Sequence, residues 1–321
     1  MFGSLIVGYL FLGGTGAGAC LVLSVIGLLV PRERVTAAAG QGRRGLSVRF
    51  QPSSPYRTLF VPSYGCVLVV LLIGVLCLVV DVGRADRLLL LVLSPTFSHI
   101  AVGAYAYAAC FAFALMLALS WAGVIERAPM GLIRAVQVLS IPVALVAIVY
   151  TGLLLQSIGA VPLWSVFWLP VMFVLSSVSC GIVLVAGIAH FGEAGSTFAS
   201  LFRGLIMCDA VFIVLEAGAV AAFLVVCGIA AGEPLSGTAE AAANSYTELI
   251  AGAHAGLWWV GFIGFGLAVP LVLEAAMLRM RQARRGLVLA VSACVLFGGL
   301  VMRFCIVEAG MHPALAFVVG G

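Results

Sequence analysis

The chain contains no lysine and few charged residues of any kind. Only 9% of its 321 residues are charged and 64% are hydrophobic, whereas about a quarter of the residues in soluble domains are charged. The absence of lysine excludes a lysine nucleophile or Schiff base, and the low charge excludes an ordinary water-soluble enzyme. The net charge of +4 comes from arginines scattered over short connections, so no dense basic face for nucleic acid is present. The composition indicates a polytopic membrane protein.

The cysteines and histidines lack the spacing of a metal site. All nine cysteines fall within apolar runs and no two are spaced as CxxC, which is typical of small packing residues rather than of zinc or iron–sulfur ligands. A b-type haem would need two histidines at matched depth, and only His99 and His254, near the outer ends of their spans, could meet in this way. We expect no metal, haem or cluster in this chain.

Eight apolar runs are each long enough to cross a bilayer, which requires about 20 residues in a helix. They lie near 5–30, 59–80, 99–125, 132–156, 165–190, 204–230, 250–278 and 286–309. No connection between them is long enough for a soluble domain. The sequence therefore predicts an all-α protein of eight transmembrane helices.

The arginines predict how these helices are oriented. Apart from Arg84, Arg87 and Arg303, every arginine lies in an odd-numbered connection, with the largest group in the loop 31–58. Positive residues concentrate on the cytoplasmic side. We therefore expect the odd connections in the cytoplasm and both termini outside it.

Four ionisable residues interrupt the sixth and eighth apolar runs. Asp209 and Glu216 are seven residues apart and share one helix face, while Arg303 and Glu308 lie on the eighth run. Such groups usually face the bundle interior and have a partner. Counting the helical rise from the cytoplasmic ends brings Glu216 and Arg303 to similar depth, so we predict that they pair. They either conduct protons or shape a site, or they are buried ion pairs that fix helix register.

A further carboxylate, Glu274, lies near the cytoplasmic end of the seventh run. A long side chain at this depth can extend toward water. We expect Glu274 to do so beside Arg279 or Arg281.

Two tyrosines lie near the outer ends of the first and fourth apolar runs, and a glycine cluster lies in the first. Tyr9 lies two turns into the first run and Tyr150 about two turns below the outer end of the fourth, so both can border one cavity in the outer leaflet. A phenol there can donate a hydrogen bond to a quinone carbonyl, or it can simply anchor the helix at the interface. Gly14 and Gly18 have the small-xxx-small spacing that allows close helix approach.

Several stretches together resemble the NrfD/PsrC family, the membrane subunits of polysulfide-reductase-type molybdenum oxidoreductases. They are YLFLGGTGAG (Tyr9 to Gly18), DVGRADR (Asp81 to Arg87), YTGLLLQSIGAVPLWSVFWLP (Tyr150 to Pro170), LIMCDAVFIVLEAGAVAAFL (Leu205 to Leu224), LWWVGFIGFGLAVPL (Leu257 to Leu271) and GGLVMRFCIVEAGMH (Gly298 to His312). The resemblance spans nearly the whole chain, and YTGLLL followed by PLW and LP is its most specific part.

The resemblance implies eight helices in two four-helix bundles, 1–156 and 157–321, in the bacterial cytoplasmic membrane. Such a subunit exchanges electrons with menaquinone or ubiquinone and passes them to a ferredoxin-like iron–sulfur subunit. That subunit serves a molybdopterin catalytic subunit, both docked on the extracytoplasmic face. The resemblance also implies that the chain carries no haem or cluster of its own.

The same resemblance implies site residues. Tyr150 matches the family's quinone-site tyrosine, and Trp164 of the PLW segment is a further candidate for contact with the quinone. Asp81, with Arg84, matches a family turn that orients the site or receives the iron–sulfur subunit, although a plain turn salt bridge is the alternative. Asp209, Glu216 and Arg303 match positions of a possible proton route, which Arg203 would join to the cytoplasm and to which Glu308 is a less typical addition.

The first helix departs from the family pattern. Family members with a characterised site have a His and an Asn ahead of the glycine cluster, but this stretch is GSLIVGY, with Ser4 and Tyr9 as its polar side chains. Three explanations remain open: Tyr9 replaces the His, His99 or His254 reaches in from another helix, or the site is altered.

Two other functions remain open. A secondary transporter would explain the buried charges and predicts helices interrupted at Pro142, Pro170 and Pro270. An inert anchor for catalytic subunits would explain the missing His and Asn.

Overall fold

The computed structural model describes residues 4–38, 48–82, 99–125, 128–158, 161–191, 198–232, 237–280 and 284–311. Eight of its helices are long and apolar enough to cross a membrane, which confirms the predicted all-α, eight-span architecture. The first six spans are α1 (Ser4–Leu29), α2 (Ser54–Val82), α3 (His99–Ala122), α4 (Met130–Gln156), α5 (Trp168–Phe191) and α6 (Ala199–Ala231). They are followed by a short helix α7 (Gly237–Ala251), a π-helix (Leu257–Ala268) that continues into α8 (Val269–Arg279), and α9 (Arg285–Gly310).

The seventh span differs from its predicted bounds. The expected run began at residue 250, whereas the structure ends α7 at Ala251 and begins the membrane-spanning helix at Leu257. The segment GTAEAAANSYTELIA of α7 is rich in alanine, the strongest helix former, but carries polar groups throughout. Hydropathy alone therefore assigns it to a connection, although its local propensity forms a helix.

The connection between α1 and α2 also contains regular structure. Strands β1 (Thr36–Ala38) and β2 (Val48–Phe50) pair antiparallel, with Thr36 opposite Phe50. The Phe50 ring meets Trp121 of α3 edge-on at 5.0 Å between centroids. This contact holds the hairpin against the end of the bundle.

Two of the three proline interruptions predicted for a transporter are absent. Helix α4 runs unbroken through Pro142, and Pro170 lies in the first turn of α5, where a missing amide hydrogen costs little. Pro270 begins α8 directly after the π-helix. Near Pro270 the seventh span therefore contains a widened π-helical segment and not a break in the helix.

Helices α1 and α5 lie at the centre of the packing. Helix α1 contacts α2, α4 and α5, and α5 also contacts α4, α6 and α9. A Cβ at Gly18 would lie 2.1 Å from the backbone oxygen of Ser177, and one at Gly181 would lie 2.4 Å from the Gly18 carbonyl carbon. The predicted close approach at the glycine cluster is confirmed, and its partner is α5. The division into two bundles at 156/157 stays a prediction.

A Gly18→Ala variant should be less stable by about 1–3 kcal/mol, because its methyl group would overlap backbone that cannot move aside. Gly65→Ala is the matched control, since a Cβ at Gly65 of α2 meets nothing within 4 Å and alanine is better than glycine in a helix by about 0.5–1 kcal/mol. Thermal unfolding in detergent measures both variants. Equal melting temperatures for the two would contradict this account of the α1–α5 contact.

Arg134 of α4 closes the C-terminal end of α1. Its guanidinium donates hydrogen bonds to the carbonyl oxygens of Gly27 (3.3 Å), Leu28 and Val30 (2.6 Å). These are the carbonyls that a helix end leaves without partners. A positive charge there also complements the helix dipole.

Candidate functional site

A groove opens toward the lipid-facing surface between α3 and α4. It has a volume of about 250 Å³, and Val102, Leu145, Val146, Val149, Tyr150, Leu153, Leu154 and Ser157 line it. Because consecutive spans cross in opposite directions, α4 ends on the side of the membrane where α1 begins, which we call the N-terminal side. The groove therefore lies in the half of the protein nearest the N-terminal side, at the depth predicted for Tyr150.

Tyr150 forms the polar wall of this groove. The side chain is only 8% exposed, and its ring packs flat against Gly103 of α3, where a Cβ would lie 2.3 Å from three ring atoms. Any larger residue at 103 would displace the ring. Glycine at this position therefore determines the position of the Tyr150 ring.

Two further tyrosines lie behind Tyr150. The rings of Tyr9 and Tyr107 are 5.6 Å apart between centroids, both side chains are buried, and both lie close to Tyr150. A Cβ at Gly13 would lie 1.5 Å from the Tyr107 hydroxyl oxygen. Tyr9 does not line the groove, so a cavity bordered by both Tyr9 and Tyr150 stays a prediction. The glycine cluster makes room for Tyr107, which sequence analysis missed.

Arg303 of α9 is fully buried beside these tyrosines. Its guanidinium donates hydrogen bonds to the Ser177 hydroxyl (2.8 Å), the Ser176 hydroxyl (3.3 Å) and the Gly299 carbonyl (2.8 Å). The guanidinium carbon lies 5.1 Å from the Phe173 ring centroid and 5.8 Å from that of Phe11, distances typical of cation–π contacts. Hydroxyls and aromatic rings thus surround the charge.

The predicted direct pairing of Arg303 with Glu216 is wrong. No ion pair within 4.0 Å joins them, and the one such pair among the described residues is His254 with Glu248. Glu216 is nevertheless 3% exposed, and it lies within electrostatic range of Arg303 and beside Ser176. The hydroxyls of α5, which hydropathy cannot place, stand between the two charges.

The prediction that Glu274 extends to water is also wrong. Glu274 is 1% exposed and Asp209 is fully buried, and their helices, α8 and α6, pack against each other. Both border one small cavity with Ser292. The rotation of α8 turns Glu274 inward, while Arg279 at the end of the same helix is exposed.

Asp209 and Glu216 share the buried face of α6, as predicted. Arg203, one turn and a half before Asp209, is exposed and donates a hydrogen bond to the Leu278 carbonyl at 2.9 Å. It therefore marks the end of this polar face on the side opposite the N-terminal side. Glu308 is half-buried and forms no ion pair with Arg303 within 4.0 Å, and its place in a proton route stays a prediction.

Two candidates for contact with the quinone lie away from the groove. Trp164 is buried, donates a hydrogen bond to the Ile306 carbonyl at 2.9 Å and packs on Gly310, so it contacts the end of α9. His254 lies 4.0 Å from Glu248 and edge-on to Phe304 at 5.4 Å. Neither belongs to the lining of the groove.

Several residues of the predicted site lie outside the part of the chain that the structure describes. Arg84 is among them, and so are the side chains of Ser4 and His99. Asp81 ends the described part of α2 in a half-buried position, and it takes part in an interaction. The roles proposed for Asp81, Ser4 and His99 stay predictions.

The site contains polar groups that sequence analysis did not single out. Tyr107, Ser176 and Ser177 connect the tyrosines near the groove with the carboxylates of α6. The signal available for the serines was the run SSVSCG in an otherwise apolar helix. Within the described ranges, no three His, Cys, Asp or Glu side chains are grouped to hold a metal ion.

Comparison with known proteins agrees with this architecture. The family model described as "Polysulphide reductase, NrfD" matches residues 1–314. The protein is 28% identical to the C subunit of the polysulfide reductase of Wolinella succinogenes, over 94% of its own length and 92% of that subunit. It is 28% identical to protein NrfD of Escherichia coli over 55% of its length and 53% of that protein.

It is also 27% identical to the protein NrfD homolog of Haemophilus influenzae, over 59% of its length and 55% of that protein. The match of the family model covers nearly every span described above, from the glycine cluster of α1 to Arg303 of α9. The protein is therefore a multi-pass membrane protein that belongs to the NrfD family of polysulfide-reductase-type oxidoreductase subunits.

Proposed function

We propose that this protein binds a quinone in the groove beside Tyr150 and exchanges electrons between the membrane quinone pool and a docked iron–sulfur subunit. The observation that carries the proposal is the groove itself, which opens on the surface of the membrane-spanning helices and is lined by aliphatic side chains together with Tyr150 and Ser157. Apolar walls with one oriented polar group are typical of sites for largely apolar ligands. A quinone head group and its isoprenoid tail have this character.

The residues of the groove have distinct roles in this proposal. The Tyr150 hydroxyl can donate a hydrogen bond to a quinone carbonyl or accept one from a quinol hydroxyl. Valine and leucine side chains hold the ring and exclude water. Menaquinone and ubiquinone both fit a lining of this kind. Oxidation of a quinol releases two electrons and two protons, and the electrons pass to the partner subunit.

We place that partner on the N-terminal side, outside the cytoplasm, because Tyr150 lies nearest this side and the arginines concentrate on the other. The relative from Wolinella succinogenes is named as one component of a polysulfide reductase. This supports a complex with a ferredoxin-like iron–sulfur subunit and a molybdopterin catalytic subunit in the bacterial cytoplasmic membrane. The terminal substrate is set by the catalytic subunit.

A row of buried polar groups supports a second proposal, that the protein conducts protons. Tyr107, Arg303, Glu216 and Asp209 follow one another from the groove toward the opposite side of the membrane. The hydroxyl of Tyr107, the Arg303 Nε and both Asp209 oxygens are buried without a hydrogen-bond partner among the described residues. Buried polar atoms in this condition usually bind internal water. We propose that such water completes a route whose last protein group is Arg203.

Filling the groove tests the quinone site. A Leu153→Trp variant places an indole beside Tyr150, and we expect quinol oxidation by the purified complex to fall about tenfold or more, since a blocked site loses at least about 1.4 kcal/mol of binding. Leu139→Trp is the matched control, because Leu139 lies on the same helix, is 54% exposed and does not line the groove.

Full quinol oxidation by Leu153→Trp would contradict the assignment of the groove. Loss in both variants would indicate a general effect of tryptophan on α4 instead. A preparation that retains its partner subunits but neither binds nor oxidises quinol would favour an inert anchor. A protein that purifies without partners or quinone would favour a transporter.

A further inference from the structure

We propose that Asp209 and Glu274 form a carboxyl pair that shares one proton and connects the buried polar row to the side of the membrane opposite the N-terminal side. The assignment to proton transfer rests on the proposed function, whereas the shared proton does not. Asp209 comes from α6 and Glu274 from the middle of α8. Their meeting is a tertiary contact that no local pattern in the sequence predicts.

Both carboxyl groups of the pair are buried without a cation beside them among the described residues. Asp209 is 0% exposed and Glu274 is 1% exposed, and no ion pair within 4.0 Å reaches either of them from a described residue. Two adjacent ionised carboxylates would repel each other strongly in surroundings of low dielectric constant. Two carboxyl groups in contact avoid this cost when they bind one proton between them.

The arginines near the pair either donate hydrogen bonds to other groups or are exposed. Arg203 donates a hydrogen bond to the Leu278 carbonyl, Arg303 donates to Ser176, Ser177 and Gly299, and the side chain of Arg279 is exposed. Neutral polar groups face the pair instead. Ser179 of α5 lies beside Asp209, and Ser292 of α9 borders the cavity but donates its hydrogen bond to the Val183 carbonyl.

Three oxygens of the pair lack hydrogen-bond partners within the described part of the chain. Both oxygens of Asp209, one of Glu274 and the hydroxyl of Ser179 are buried without a hydrogen-bond partner among the described residues. Apart from Ser292, the cavity that both carboxyls border is otherwise lined by aliphatic side chains and Met277. Such a cavity excludes bulk water, and a proton held between one oxygen of each carboxyl satisfies two of these atoms.

The charges of the whole polar row determine how many protons the pair can hold. The buried groups are one guanidinium, that of Arg303, and three carboxyls, those of Asp209, Glu216 and Glu274. The row is electrically neutral when the three carboxyls together hold two protons. If Glu216 balances Arg303 and the pair holds one proton, one negative charge remains, and a second proton neutralises it. The pair can thus take up a proton from one side and release it toward Glu216, without any redox step.

Infrared spectroscopy of the complex purified from membranes tests the shared proton. We expect wild-type protein to show the carbonyl stretching band of a protonated carboxyl, and both Asp209→Asn and Glu274→Gln to lose the same band. Glu274→Asp should keep it, because both carboxyls remain. Glu240→Gln, which removes an exposed carboxylate on α7, should keep it as well.

The spectra distinguish a proton shared by Asp209 and Glu274 from a proton on one of them alone. A band lost in only one of the two amide variants would indicate a single protonated carboxyl and overturn the shared proton. Unchanged spectra in both, or loss of the band in Glu240→Gln, would also overturn it. Tyr150→Phe should keep the band while quinol oxidation falls, so that failure of the quinone site and failure of the carboxyl pair are distinguished.

Discussion

The Tyr150→Phe variant is expected to oxidise quinol with a kcat/KM about tenfold below that of the wild type, because a hydrogen bond between uncharged groups contributes about 1 kcal/mol or somewhat more. The phenyl ring still fits against Gly103, so the walls of the groove keep their shape. The loss then reports the hydroxyl alone. Steady-state quinol oxidation with an added electron acceptor measures it, together with the affinity for a quinone-site inhibitor.

Tyr105→Phe is the matched control for this variant. Tyr105 lies on α3, is 39% exposed and does not line the groove. We expect its quinol oxidation to match that of the wild type. A Tyr150→Phe enzyme with unchanged kcat/KM and unchanged inhibitor affinity would exclude the phenol as a quinone ligand.

The arrangement of the spans could be predicted because it depends on properties that add along the sequence. A bilayer requires a long apolar helix for each crossing, and seven of the eight predicted runs agree with the observed helices to within about five residues at each end. The exception, the start at residue 250, arose where alanine propensity formed α7 outside the apolar window. The hairpin near Phe50 was missed because three-residue strands leave almost no pattern.

The candidate site could be predicted only in part, because it depends on how the helices are rotated and which of them touch. Tyr9 and Tyr150 were identified since depth alone brings them together. Glu274 was misplaced because its depth suits both an interfacial position and a buried one, and only the packing of α8 on α6 decides between them. Tyr107 resembles any other aromatic residue of α3 until Gly13 is placed against its hydroxyl.

The geometry around Arg303 explains how a full charge is tolerated so far from water. Three hydrogen bonds, two aromatic rings and the nearby carboxylate of Glu216 take the place of its hydration shell. Removing one member of such a set leaves another charge without compensation, and this loss exceeds what the contact itself contributes. The stability of the protein should therefore depend on Arg303 and Glu216 jointly rather than on each alone.

We expect Arg303→Met to lower the free energy of unfolding by about 3 kcal/mol or more, because Glu216 stays buried with no cation near it. Methionine fills much of the space between Phe173 and Phe11, so the loss is electrostatic rather than a cavity. Glu216→Gln alone should be less harmful, since Arg303 keeps its hydrogen bonds to Ser176, Ser177 and Gly299 and its two aromatic contacts. The double variant should recover most of the stability that Arg303→Met loses, and thermal unfolding in detergent measures the coupling. Additive losses would show that the two residues do not compensate each other. If the double variant recovers stability but not proton translocation, Arg303 and Glu216 contribute to folding separately from their role in the proton route.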